Sequence, residues 1–186
     1  MWALNTFPPP TNARIADYGG TENVGDTIVR DSLAAGGQHN YTALDFDNGI
    51  DLRNPIKGKK FDYGLCMDLL EHASNPFTVA TNIKNSLKKG GILFVTVPFI
   101  WEIHYYPSDY WRFTPQGIEE LFSDMYIEVI GLVRDKEPDE SVPRHRIVAV
   151  FRNQKKLPVP HGETVYGTGG IPPSLTEGIN HDSMYK

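Results

Sequence analysis

The chain has 186 residues, 40% hydrophobic and 22% charged, a length and composition that suit one globular domain. Lys and Arg number 18 against 23 Asp and Glu, so the net charge of −5 lacks the cation excess that favours a nucleic-acid backbone. No apolar run approaches the roughly 20 residues needed to span a bilayer, which excludes an integral membrane helix. The single cysteine, Cys66, can form neither an internal disulfide nor a thiolate metal centre. Met1-Trp2-Ala3-Leu4 opens neither a basic nor a long apolar leader, and a reducing, cytoplasmic setting is expected.

Residues 1–13 carry Pro8-Pro9-Pro10 and no periodicity, which predicts an extended segment with Trp2, Leu4 and Phe7 available for docking. Arg14-Ile15-Ala16-Asp17-Tyr18 reads as a short strand stopped by Gly19-Gly20. Residues 26–35 then place Ile28, Val29 and Leu33 on one helical face before Gly36-Gly37. Residues 41–46 are strand-like, and 61–67 form a nearly unbroken apolar run of the kind a parallel sheet buries on both faces. Asn75-Pro76 caps a helix whose apolar positions Val79, Ala80, Ile83 and Leu87 recur at helical spacing, closed by Lys88-Lys89-Gly90-Gly91. A buried strand follows over 92–97. Thr114-Pro115 caps a second helix with Ile118, Leu121 and Phe122 inward, and strands are expected over 126–133 and 146–152. From Leu157 to Lys186, 9 of 30 residues are Gly or Pro, so residues 154–186 read as an irregular tail and the folded unit as 14–153. The element order predicts an α/β, Rossmann-like sheet, mostly parallel, with helices on both faces and an antiparallel last strand.

In open α/β sheets ligands bind beyond the carboxyl ends of the strands, and four such ends carry polar chemistry. The first is Asp17-Tyr18-Gly19-Gly20, where glycines let backbone approach a ligand, although a Gly-Gly turn alone is more often only a turn. It has neither the G-x-G-x-x-G spacing of a dinucleotide fingerprint nor the lysine of a P-loop. The second, Asp45-Phe46-Asp47, lies where an acid accepts hydrogen bonds from ribose hydroxyls, or else opens a solvated turn with Asn48-Gly49. The third runs Asp68-Leu69-Leu70-Glu71-His72, blandly a polar helix start. The fourth is an aromatic-rich loop over 98–113, longer than a connection requires and suited to a lid or substrate wall. The six histidines show no metal-ligand spacing, and no metal is expected.

Taken together, residues 61–72, Leu87-Lys88-Lys89-Gly90-Gly91 and Val95-Thr96-Val97-Pro98-Phe99 resemble the second half of a class I S-adenosylmethionine-dependent methyltransferase. The run from His104 to Pro115 is similar to a loop of the type-11 methyltransferase-domain group, and the resemblance extends over about residues 14–152. It implies S-adenosylmethionine as cofactor, with Asp17, Gly19 and Gly20 at its methionine end. Asp45 would bind the ribose, Phe46 would pack on adenine, and Asp68 and Leu69 would lie near the transferable methyl group. A cationic sulfonium favours such carboxylates, and adenine an apolar slot.

Methyl transfer needs an aligned acceptor and, where the nucleophile is protonated, a base. His104 and His72 are the candidates, since histidine titrates nearest neutral pH; the bland alternative is that His104, Tyr110 and Arg112 only hold their loop. The expected activity is methyl transfer to a small-molecule or sugar- or lipid-type acceptor. A second reading comes from Thr21 and Asn23, which stand where the group carries glycines, and from the absence of covering helices before residue 14. It makes the chain a catalytically inactive methyltransferase-like fold, a binding or assembly subunit that meets a partner chain or a second copy through its tails.

Overall fold

The computed structural model describes residues 6–20, 39–58, 60–105, 108–134 and 144–154. The helix expected over 26–35, Thr21, Asn23 and the tail beyond 154 lie outside the described residues. Six strands form one sheet: β1 Arg14–Tyr18, β2 Asn40–Leu44, β3 Phe61–Met67, β4 Leu87–Ile100, β5 Tyr126–Arg134 and β6 His145–Arg152, in spatial order β2-β1-β3-β4-β6-β5. β1 pairs in parallel with β2 and β3, and β3 with β4. β6 lies between β4 and β5 and is antiparallel to both, so β5 runs with the first four strands and only the last strand is reversed, as the sequence predicts.

Side chains alternate between two buried faces, which is why the strands read as continuous apolar runs. Ala16, Tyr18, Cys66, Leu93, Val95 and Val97 point to one face; Ile15, Tyr63, Leu65, Ile92 and Phe94 point to the other. The two described helices, α1 Pro76–Ser86 and α2 Pro115–Leu121, both cover the first face, through Val79, Ala80, Ile83 and Ile118. No described helix is long and apolar enough to cross a membrane.

Both helix starts follow their capping residues. Asn75 Oδ1 accepts the Thr78 amide at 3.1 Å, Thr114 Oγ1 accepts the Gly117 amide at 3.1 Å, and proline occupies the first turn of each helix. The end of α1 differs from expectation. Instead of running to Lys88-Lys89-Gly90-Gly91, it stops at Ser86, whose hydroxyl donates to the Ile83 carbonyl at 2.7 Å, and Leu87 turns extended to pair with Phe61. The Lys-Lys-Gly-Gly segment therefore belongs to a β4 of 14 residues rather than the six-residue strand expected over 92–97. Asn153 staples this stretch: its side chain donates to the Leu87 and Lys88 carbonyls at 3.1 Å, and its amide donates to the Gly91 carbonyl at 2.8 Å. Gly90 sits at φ +81°, a left-handed turn that few other residues adopt without strain.

The core also holds two buried hydroxyl groups together. Ser86 spends its proton on Ile83, so the Tyr18 hydroxyl donates to Ser86 Oγ at 2.6 Å across the face between β1 and α1. Burial pushes the Tyr18 phenol well above its ordinary range.

Candidate functional site

The C-terminal ends of β1, β2, β3 and β4 open onto a cleft of about 880 Å³. Gly19, Asp45, Phe46, Asp68, Leu69, His72 and His104, all proposed from the sequence, line it. Asp17 and Gly20 do not line it. Asp17 is 1% exposed and accepts a hydrogen bond from the Tyr41 hydroxyl, and Gly20 packs so closely over it that a Cβ at Gly20 would lie 2.1 Å from Asp17 Oδ2. These two residues shape the turn from beneath. Gly19, at φ +80°, bonds its amide to the Leu44 carbonyl, and a Cβ there would lie 2.7 Å from Leu69 Cδ1.

β2 ends at Leu44, two residues before the expected end at 46, because Asp45 caps a short helical turn over Phe46–Asn48. Its Oδ1 accepts the Asp47 amide at 2.7 Å, and Gly49 closes the turn at φ +74°. This turn holds the Phe46 ring out into the cleft, 65% exposed, with the Arg53 guanidinium 5.6 Å from its centroid. Arg53 in turn donates to both carboxylate oxygens of Asp51, and those bonds hold the Asp51 carboxyl below its ordinary range.

Asp68 follows β3 at φ +47°, an uncommon conformation for a residue with a side chain. The neighbouring strand secures it: the Thr96 carbonyl accepts the Asp68 amide at 2.9 Å, and Thr96 Oγ1 donates to Asp68 Oδ1 at 3.1 Å. The second oxygen takes a 2.7 Å bond from Arg146 of β6, a residue the sequence reading did not select. The Arg146 and Arg144 guanidinium groups lie 5.2 and 4.7 Å from the centroid of the Trp101 ring, whose side chain forms part of the wall.

Beyond Asp68 a second short turn, Leu70–His72, carries Glu71 and His72 under the long loop after β4. The loop is fastened to that turn by the Tyr110 amide on the Glu71 carbonyl and by Trp111 Nε1 on the Ala73 carbonyl, both at 2.8 Å. Within it Asp109 accepts the His104 amide at 2.9 Å and two bonds from Arg112. The Arg112 bonds hold the Asp109 carboxyl well below the usual carboxylate range. His104 and His72 meet edge to face, ring centroids 5.0 Å apart. Between them lies Glu71, fully buried, with neither carboxylate oxygen hydrogen-bonded to any described residue. Burial first, and then the nearby Asp68 charge, push the Glu71 carboxyl up to about 8.

Glu71, Asp109 and Arg146 are therefore the site residues that linear reading missed. Glu71 and Asp109 sit inside the Leu-Glu-His and His-to-Pro segments that carry the resemblance, which is the signal that could have found them; Arg146 has none, being 78 residues from Asp68 in sequence. The sequence offers no metal-ligand spacing, yet the fold gathers one ligand atom from each of Glu71, His72 and His104 within 4.8 Å of one another. Cys66 is buried with its thiol pushed up by burial, consistent with a core rather than a nucleophilic role.

No family model matches the chain. A stretch of 38 residues is 45% identical to a ubiquinone biosynthesis O-methyltransferase of Glaesserella parasuis, covering 20% of this chain and 16% of that enzyme, so the chain matches only a small part of its curated relative. Among solved structures, a methyltransferase in a Haloferax volcanii complex with a methyltransferase activator superposes with a TM-score of 0.63 at 15% identity, over 81% of this chain and 87% of that one. The 1,6-didemethyltoxoflavin-N1-methyltransferase of Burkholderia thailandensis, solved with 1,6-didemethyltoxoflavin and S-adenosylhomocysteine, gives 0.61 at 17% identity, over 82% and 74%. The architecture is the class I methyltransferase fold.

Proposed function

We propose that the chain is an S-adenosylmethionine-dependent methyltransferase acting on a small-molecule or sugar- or lipid-type acceptor. The observation that carries this reading is the cleft at the strand ends of a methyltransferase fold, in which Gly19 after β1 and Asp45 and Phe46 after β2 face one space. Besides Glu71, its walls hold four aspartates against two arginines, a balance that favours a cationic ligand. The donor set fits the cofactor: Gly19 exposes backbone in a left-handed conformation that favours glycine, Asp45 presents a carboxylate for ribose hydroxyls, and the exposed Phe46 ring offers a face to adenine.

When bound, S-adenosylmethionine would supply an electrophilic methyl group on a sulfonium, to which an acceptor lone pair could bond as the carbon–sulfur bond breaks and its electron pair leaves on a neutral thioether. The chain's part is alignment and proton handling. Asp68, fixed by Thr96 and Arg146, and Leu69 border the cofactor side; Asp17, held by Tyr41, supports the glycine turn from below. His72 and His104 line the cleft on the acceptor side, where an imidazole Nε2 can take the acceptor's proton. Trp101 and Tyr110, from the long loop, form the remaining acceptor wall.

The test is calorimetric titration of the purified chain with S-adenosylmethionine and S-adenosylhomocysteine. Micromolar binding of both supports the enzyme. A folded chain that binds neither turns the reading to an assembly subunit, for which co-purification with a partner chain is the next measurement.

A further inference from the structure

We propose that Glu71, His72 and His104 bind one divalent transition-metal cation of the zinc class at the floor of the cleft. Glu71 Oε1 lies 3.7 Å from His72 Nε2 and 4.0 Å from His104 Nε2. Ligands about 2.0 Å from a tetrahedral ion stand roughly 3.3 Å apart, so small side-chain movements would close the set around a cation.

The far side of each ring determines which lone pairs face inward. His72 Nδ1 lies 2.5 Å from the Ser108 carbonyl oxygen, and His104 Nδ1 bonds the Glu102 carbonyl oxygen at 3.4 Å with Asp109 Oδ2 3.1 Å away. All of these oxygens are acceptors, which favours the tautomer with the proton on Nδ1 and the Nε2 lone pair toward Glu71. This is the outer-shell arrangement that orients metal-binding histidines, and Asp109 is itself fixed by Arg112. Without a cation, two ring nitrogens and a buried carboxyl group without hydrogen bonds to any described residue face one another within 4.8 Å. The separations of 3.7 and 4.0 Å are too long for hydrogen bonds between them. Two imidazoles and one carboxylate suit zinc-class ions better than Mg²⁺ or Ca²⁺, which take oxygen ligands. Because the three residues line the cleft, further coordination positions would face it, as in catalytic rather than structural sites.

Ion binding stands apart from the methyl-transfer reading. Only its consequence rests on that reading: a coordinated acceptor hydroxyl would be acidified by the ion and lose its proton to solvent in the cleft, and the histidines would then serve as ligands rather than as bases.

The experiment uses the untagged full chain, stripped with EDTA and dialysed, titrated with Zn²⁺ by calorimetry and with Co²⁺ by visible absorption. One equivalent is expected to bind with micromolar or tighter affinity. Glu71→Gln, His72→Gln and His104→Gln are each expected to weaken binding at least about tenfold, and Asp109→Asn by roughly 10–100-fold through the outer shell. His39→Gln should change nothing. Absence of stoichiometric binding by the folded wild type overturns the proposal, as does binding that none of the three ligand substitutions weakens. Should a variant unfold, the wild-type Co²⁺ spectrum decides: intense visible bands report a low-coordinate nitrogen and oxygen site, and their absence refutes it. S-adenosylmethionine titrated in EDTA separates the two readings, since cofactor binding without ion binding removes only the metal site, and ion binding without cofactor binding removes only methyl transfer.

Discussion

Replacing Glu71 by glutamine tests the electrostatics of the cleft floor directly. In the metal-free protein, kept in EDTA, burial and the Asp68 charge raise the Glu71 carboxyl from its ordinary 4.5 to about 8. Below the ordinary value both the folded and unfolded chains carry this proton, and the group contributes no pH dependence. Above it the unfolded chain releases the proton while the folded chain keeps it, so the folded state binds more protons and stability falls as pH rises. The slope reaches about 1.4 kcal/mol per pH unit, and the interval to about pH 8 accumulates roughly 4–5 kcal/mol, after which the folded carboxyl ionises as well and the decline stops. Glu71→Gln removes this titration at nearly constant shape. Urea unfolding of wild type and variant in EDTA, from pH 5 to pH 8.5, isolates the site, because every other group titrates in both proteins. The two stability curves should be close at the acid end and diverge steadily, with the variant the more stable at the alkaline end. Curves that remain parallel would mean that Glu71 ionises in the ordinary carboxylate range, and the burial argument would be wrong.

Three other substitutions probe separate links. Tyr18→Phe removes the buried bond to Ser86 and should cost about 1–1.5 kcal/mol, read as a Tm lower by roughly 2–6 °C; a double-mutant cycle with Ser86→Ala that shows no coupling would deny the bond. Gly20→Ala drives a Cβ into the Asp17 carboxylate and should destabilise the domain by about 1–3 kcal/mol in urea unfolding, and an unchanged midpoint would show that the turn has slack. Asp45→Asn keeps an acceptor for the Asp47 amide but loses the charge offered to ribose hydroxyls, so S-adenosylmethionine should bind about tenfold more weakly by calorimetry; equal affinity removes Asp45 from the cofactor's contacts.

Much of this architecture was legible in the chain because its causes are local. The bounds of β1 and β3 follow from apolar runs stopped by adjacent polar or glycine residues, and both helix starts from an Asn-Pro and a Thr-Pro pair whose side chains bond amides three residues on. The reversed last strand follows from two apolar runs across a charged loop. Where neighbours in space compete with neighbours in sequence, the linear reading fell short. Lys88-Lys89-Gly90-Gly91 reads as a helix end, but pairing with Phe61 and the bonds from Asn153 are available only once the sheet exists, and they draw the segment into β4. The cleft divides in the same way. Gly19, Asp45, Phe46, Asp68 and Leu69 could be chosen from the sequence because strand ends in a parallel sheet share one side. Only the tertiary structure decided that Asp17 is buried under its glycine turn, that Arg146 closes on Asp68, and that Glu71 lies between two histidines oriented by Ser108 and Asp109. These contacts join segments far apart along the chain, and no spacing rule records them, because the distance between such groups is set by how the sheet and its loops pack rather than by the number of residues between them.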